Sequence, residues 1–348
     1  MTSKRVTMKD VAAAAGVSVM TVSYALKGSR EVSEKTRKKV QKVAEKLGYI
    51  PDPLLTRLSS YRSGRARSEK GVAMAWLNLH PEEKTWNFRG SHFLEAWEGA
   101  KKRAHELGYR LDTFCVPKSG GWRRVNKMLQ SRGIEGIIIG QPPPGVTEAQ
   151  LDWEQFATVV IGRAIRSPEL PRVMLNHVDS MQRLMDRMRA MGYRRIGLVM
   201  EAGDCAKNDF RNVGGYYGSC MKLGISEEDR IPPLTPDQLT AGNLGDWIQR
   251  WAVEGIIVHR PDQMQKFLPQ LGLKIPDDIG FAHLSMHDRS PTISGLYFAP
   301  ENLGSWAVDL CHWILDRDEK GLQDPSPSLI LTAYEWVPGQ TLRKVPLK

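Results

Sequence analysis

Residues 6–49, VTMKDVAAAAGVSVMTVSYALKGSREVSEKTRKKVQKVAEKLGY, contain three short helix signatures separated by tight stops. Thr7 can cap the free N–H groups of a first helix, with Asp10 at the third helical position of a capping box. Val11, Ala14 and Ala15 are expected to form its buried stripe. Gly16 supplies the turn, Val17 fills the angle between two helices, and Ser18 caps a second helix running from Val19 to Leu26. Ser33 caps a third, with Thr36 in its first turn, and Val40, Val43, Ala44 and Leu47 form the apolar face that closes a three-helix core before Gly48 stops it. Two helices joined by so short a turn, with a third behind them, predict a helix-turn-helix.

The charge of the chain converges on the same segment. Of 348 residues 49 are basic and 39 acidic; residues 1–70 hold 16 of the basic and 6 of the acidic ones, which leaves 33 of each for the remainder. A neutral body behind a basic, helix-patterned head fits a protein that grips a polyanion with one part and does something else with the other. After the head, Pro51 and Pro53 flank Asp52, breaking one helix and able to start another over residues 54–58. The tract SSYRSGRARSEK, residues 59–70, has the composition of a flexible basic linker.

From Gly71 onward short apolar runs alternate with amphipathic stretches. VAMAWLNL, RLDTFCV, GIIIG and ATVVIG read as strands, and HFLEAWEGAKKRAHELG and WRRVNKMLQSRG as helices. A second round starts at SMQRLMDRMRAMGYRRIGLVM and continues through FRNVGGYYGSCMKLG, NLGDWIQRWAVEGIIVH, QMQKFLPQLG and DIGFAHL. Two rounds predict two α/β lobes built on parallel sheets, and hence three divisions: 1–50, a helix-turn-helix head; 51–70, hinge and linker; 71–348, a two-lobed body.

Several functional classes find no support. No apolar run approaches the roughly 18 residues of a spanning helix, and MTSKRVTMKD is too polar and basic for a secretion signal. Cys115, Cys205, Cys220 and Cys311 are widely spaced and form no CxxC pair, which suits a reducing cytoplasm rather than a disulfide scaffold. No GxGxxG, phosphate loop, GxSxG elbow or helical HxxxH pair is present. No cofactor, metal or catalytic constellation is therefore expected, and His80, His92 and His105 read as scattered surface or pocket residues. Trp247 and Trp251 lie four apart, on one helix face, as core or subunit contacts.

On the residues quoted from Val6 to Leu58, the head resembles that of the lactose-repressor (LacI/GalR) family of bacterial transcription regulators. The resemblance implies that the second helix enters the major groove: Val19, Met20 and Tyr24 facing bases, Thr7, Ser18, Thr21, Ser23, Lys27, Arg30 and Tyr49 holding or approaching the backbone, and Leu58 wedging into the minor groove from a hinge helix paired with that of a second subunit. Val19 and Met20 suit thymine methyls, core packing being their competing use, and none of the three base-facing residues offers a bidentate fork to guanine. Tyr24 replaces the arginine common in the family. The partners implied are a pseudo-palindromic operator, a second copy of the chain and a small, sugar-like effector; no membrane is involved.

The body resembles the family's periplasmic-binding-protein-like core at Gly192-Tyr193-Arg194-Arg195-Ile196 and at residues 275–281, IPDDIGF. Ligands of open parallel sheets bind beyond the carboxyl ends of the strands. That rule selects Asn78, His80, Gln141, Arg163, Asp209, Arg211, His259, Arg260 and His283, with Trp86, Phe88, Phe93 or Trp247 for stacking. The resemblance makes Arg211 a clamp for effector hydroxyls or carboxylates. Three positions depart from the family's pattern: Ala282-His283 replaces the aspartate after Gly-Phe, Pro261-Asp262 replaces Asn-Asp, and Gly215 replaces an aromatic. The expected effector is polyhydroxylated or anionic, the alternative being a body that serves only as a dimerisation scaffold.

Overall fold

The computed structural model describes residues 6–26, 32–47, 49, 72–82, 91–143, 145–322, 328–331 and 334–343. The chain divides into two compact units: the described residues before Val72 together with Trp313–Glu319, and Val72–His312 with the residues from Lys320 onward.

In the head, α1 is Met8–Ala15, α2 Val19–Leu26 and α3 Glu34–Leu47. The Asp10 carboxylate reaches back to accept from the Thr7 N–H and the Thr7 hydroxyl, both at 2.7 Å. Gly16 ends α1 in the left-handed conformation at φ 64°, a geometry that costs glycine least. Ser18 Oγ accepts from the Thr21 N–H at 3.0 Å, and Ser33 Oγ from that of Thr36 at 3.3 Å. Val11, Ala12, Ala15, Val22, Ala25, Val32, Val40 and Ala44 form the core. Two expectations fail in detail. Ala12 is buried where Ala14 was expected, because the Val11–Ala15 stripe widens on its other side, and alanine at all four positions 12–15 carries no signal of which side that is. Leu47, the last residue of α3, is exposed instead of closing the core.

The body holds two sheets. Strands β1 (Val72–Asn78), β2 (Tyr109–Cys115), β3 (Gly136–Ile139), β4 (Ala157–Ile161) and β5 (Arg172–Leu175) alternate with α4 (His92–Glu106) and α5 (Trp122–Ser131). The chain then crosses to the second lobe: α6 (His177–Ala190), β6 (Ile196–Val199), α7 (Ala202–Lys207), α8 (Arg211–Lys222), α9 (Ala241–Trp251), β7 (Gly255–Val258), α10 (Pro261–Gln270), β8 (Gly280–Met286) and β9 (Gly295–Tyr297). After α11 (Pro300–Asp316), β10 (Ser328–Leu331) returns to the first sheet and β11 (Glu335–Val337) to the second. The resulting orders are β10-β5-β4-β3-β1-β2, parallel throughout, and β11-β9-β8-β7-β6, parallel except at β11.

The continuous apolar strands follow from covering both sheet faces. Leu198, Ile257, Ala282 and Leu284 point into one core of the second lobe, while Val199, Ile256, Val258 and Phe281 point into another. Trp247 fills the latter over Gly197, its indole N–H donating to the Pro232 carbonyl at 2.8 Å. Where α11 crosses α4 the backbones meet: a Cβ on Gly304 would strike the Ala96 carbonyl and one on Gly99 the backbone of Glu301.

Candidate functional site

In the head, Val19 and Met20 open α2 with 42% and 66% of their surfaces exposed, and no apolar neighbour of the core claims them. Tyr24 and Tyr49 are half-buried and pack against that core. Ser18, Thr21 and Ser23 lie on the same turn or the first turns of α2. The Ser18 and Thr21 hydroxyls are 2.8 Å apart, so one hydroxyl hydrogen is spent between them and the other is left for an acceptor such as phosphate. Thr7 differs. Its hydroxyl hydrogen goes to Asp10, so it has none to donate to phosphate, and its place in the structure is that of a helix cap. Lys27, Arg30, Leu54, Leu55 and Leu58, with the whole of 51–70, lie outside the described residues, as do Trp86 and Phe88.

In the body, a cavity of about 560 Å³ lies beyond the carboxyl ends of the strands of both sheets. His80, Gln141 and Arg163 of the first lobe line it, with His259, Arg260 and His283 of the second and Phe93 on α4. Asn78 is displaced into a small adjoining pocket, where its Oδ1 accepts from the His80 N–H at 3.0 Å and so positions the histidine rather than a ligand. Arg211 is not part of the cavity wall; the next residue, buried Asn212, is, because successive helical residues point about 100° apart and Arg211 is the first of α8. Asp209, exposed two residues past the end of α7, and Trp247, committed to the core, do not line the cavity.

Of the cavity's imidazoles the sequence pointed to His80, His259 and His283, left His92 as a surface or pocket residue, and missed His177 and His287. Six of the eight histidines line this one cavity: His80, His92, His177, His259, His283 and His287. Burial, reinforced by neighbouring histidines, pushes His92 down to about 4 and His283 to about 3. Burial likewise pushes His177 to about 4, helped by His259 and Arg211, and lowers His80 and His259. At neutral pH these five rings are uncharged, each with one acceptor and one donor nitrogen. His92 packs on Phe93 at 3.9 Å and meets His287 at 5.5 Å between ring centroids; His259 and His283 stand 6.5 Å apart. Among the described residues no three His, Cys, Asp or Glu side chains are grouped so as to hold a metal ion.

The cations of the wall are already partnered. Asp204 accepts from Arg260 Nε at 3.0 Å and from Lys207 Nζ at 3.2 Å. Burial pulls its carboxyl upward, but Arg260, His259 and Lys207 outweigh that and hold it below the usual range. Arg163 bridges Asp209 at 3.3 Å and Glu169 at 3.5 Å. The cavity thus offers neutral imidazoles, the Gln141 and Asn212 amides and compensated ion pairs to a polar small molecule.

Comparison with known proteins places both regions. Residues 7–52 match the lacI family of bacterial regulatory proteins, and residues 80–248 match the periplasmic binding proteins and sugar binding domain of the LacI family. The chain is 26% identical to the HTH-type transcriptional regulator PtxS of Pseudomonas plecoglossicida over 97% of its own length and 96% of that protein. Among solved structures it is similar in fold to the transcriptional regulator CelR–cellobiose complex (TM-score 0.55, 17% identity, 97% of this chain and 100% of that one). It is also similar to the lac repressor dimer bound to operator and the anti-inducer ONPF (TM-score 0.53, 19% identity, 98% and 100%). Among the described residues no helix is long and apolar enough to cross a membrane.

Proposed function

We propose that this chain, which belongs to the LacI family of bacterial regulatory proteins, is a homodimeric transcriptional repressor that binds a pseudo-palindromic operator and is controlled by a small polar ligand. In this reading residues 1–50 are the DNA-reading head, 51–70 the hinge and linker, and 71–348 the sensor and dimerisation body. Val19, Met20 and Tyr24 meet base edges, and Thr21 and Ser23 meet phosphates, while the cavity residues Gln141, Arg163, His259 and His283 meet the ligand. Regulation, not turnover, is its activity, and it works in the cytoplasm.

The observation that carries the reading is the pair of apolar side chains left bare at the start of α2, on a head whose other described apolar side chains, apart from Ala13, Ala14 and Leu47, are engaged in a three-helix core. At the exposed start of a helix placed to enter the major groove, such a pair can be covered by thymine methyls. The second support is a body whose cavity can be closed by two lobes, which is how differential ligand affinity becomes a change in operator affinity.

The test is selection of bound sites from random duplex DNA with the full chain, followed by a salt titration on the selected site. Two half-sites related by a dyad are expected, with log affinity falling linearly and steeply with log salt as phosphate-bound counterions are released. Affinity independent of salt, or equal affinity after removal of residues 1–70, overturns the proposal. Sugars and sugar acids screened by thermal shift then identify the ligand class, since a ligand selective for the folded state raises Tm.

A further inference from the structure

The loop after β4, residues 162–171 of the first lobe, faces the α7–α8 junction of the second, and two arginines bridge the gap. Arg166 Nη2 donates to the Ala206 carbonyl at 2.7 Å, and Arg163 Nε to Asp209 Oδ2 at 3.3 Å. The Ala206 carbonyl lies in the last turn of α7, at the negative end of the helix dipole, and the Asp209 carboxylate two residues past its end, so a guanidinium is a fitting partner for each. The junction itself is strained: Asp209 and Phe210 are consecutive non-glycine residues at φ 55° and 54°. Such a conformation persists only where surroundings over-determine it. Here these are the Asp209 N–H to the Ala206 carbonyl at 3.1 Å, the Phe210 N–H to the Cys205 carbonyl at 2.9 Å, and the two arginines from the opposite lobe.

The lobe-one end is equally well anchored. Arg172, fully buried at the start of β5, donates to the carbonyls of Gly162 and Ile165 and to Glu169, fixing the loop that carries both arginines. Arg163, Lys207 and Asn208 all line the cavity, so the bridge and the ligand site share residues.

We infer that Arg163 and Arg166 form a clasp on residues 202–210 that holds the two lobes together across the cavity. A ligand that draws on Arg163, Lys207 or Asn208 works against or through this clasp, which makes it the regulatory element of the cavity. Only that last step rests on the proposed ligand-binding function; the clasp itself rests on contacts within the chain, and its test uses no ligand and no DNA.

The test is hydrogen exchange, read by mass spectrometry on the full chain, of Arg166→Ala, Asp209→Asn and the charge exchange Arg163→Asp/Asp209→Arg. Arg166→Ala is expected to speed exchange of the amides at 208–211 by about tenfold, as loss of one charge-assisted hydrogen bond implies, although the substitution is in the other lobe. Asp209→Asn is expected to speed residues 163–167, and the charge exchange to return both segments toward wild-type rates. Changes confined in each variant to the lobe that carries it overturn the clasp. Thermal melts accompany each variant: if one melts early, faster exchange throughout both lobes is unfolding, and the charge exchange, which retains an ion pair, then decides the matter by restoring or failing to restore protection at both segments.

Discussion

Replacing Arg172 by methionine isolates the energetic role of a buried charge. The guanidinium is entirely shielded from solvent; it donates through Nη1 to the Gly162 and Ile165 carbonyls at 3.2 Å and through Nη2 to Glu169 at 3.0 Å. Methionine keeps the stem and deletes every donor. The buried Ile165 carbonyl is then left without this donor at a cost of about 1–3 kcal/mol, and the half-buried Gly162 carbonyl, which faces the cavity, at about 1 kcal/mol, the net worth of an ordinary hydrogen bond. The Glu169 side chain is 54% exposed and recovers its partner from water, so its share is small. Against the loss stands relief of the desolvation that already pulls the Arg172 pKa below the ordinary arginine value. The balance is a destabilisation of about 2–4 kcal/mol, which at about 2–4 °C per kcal/mol for a domain of this size lowers Tm by about 5–15 °C. Scanning calorimetry of the full chain measures it. Arg172→Lys, which keeps the charge but not the planar fork, is expected to fall between the two. A methionine variant melting within about 2 °C of wild type refutes the reasoning, since by the same scale it limits the loss to about 1 kcal/mol.

Gly304→Ala is expected to destabilise the body by about 1–3 kcal/mol or more in urea titrations, because its Cβ meets backbone of α4 that cannot turn aside. Gly218→Ala on α8, where a Cβ meets nothing, is expected to gain up to about 1 kcal/mol from helix propensity. Stability is expected to fall as pH drops below about 6.5, because His92, His177 and His283 are held neutral down to about 4, 4 and 3 whereas the unfolded chain protonates near 6.5. At pH 5 each such group withdraws up to about 2 kcal/mol; His283→Gln flattens the Tm profile between pH 7 and 5, and an unchanged profile contradicts the burial argument. Met20→Ala is expected to leave Tm unchanged while relaxing base preference in selected sites, and a large drop in Tm would reassign Met20 to the core.

The head was legible almost residue by residue because its signals are local: a cap, a four-residue stripe and a glycine stop each act within one turn. The body was legible as alternation and less so in its boundaries. β5, four residues opening with a buried arginine, does not read as an apolar run, and His177 just after it went unseen as a cavity residue. β8 runs on to Met286, past the apolar DIGFAHL, so His287 stayed hidden beyond its end. β10 and β11 are four and three residues long and carry no period; their return to two different sheets is a tertiary fact. Arg211 stands one residue before the cavity-lining Asn212, a difference of face that helical periodicity shows only once the start of α8 is fixed.

The convergence of six histidines has a consequence for what the cavity can hold. A carboxylate or phosphate entering it meets Arg163, Lys207 and Arg260 already bound to Asp209, Glu169, Asp204 and Glu201, so each new ion pair displaces an old one. A hydroxyl meets neutral imidazoles: the His283 ring donates to the His259 backbone and that of His80 to the Gln141 carbonyl, so each keeps its other nitrogen as an acceptor that displaces no ion pair. Ala282 stands where the resemblance places the family's acidic acceptor and is buried in the core, and the adjacent His283, which lines the cavity, supplies an acceptor that gains a charge only in acid. Protonation of that ring would turn an acceptor into a second donor beside His259 and His287, so recognition by acceptance from a ligand hydroxyl is confined to the pH range in which His283 remains neutral.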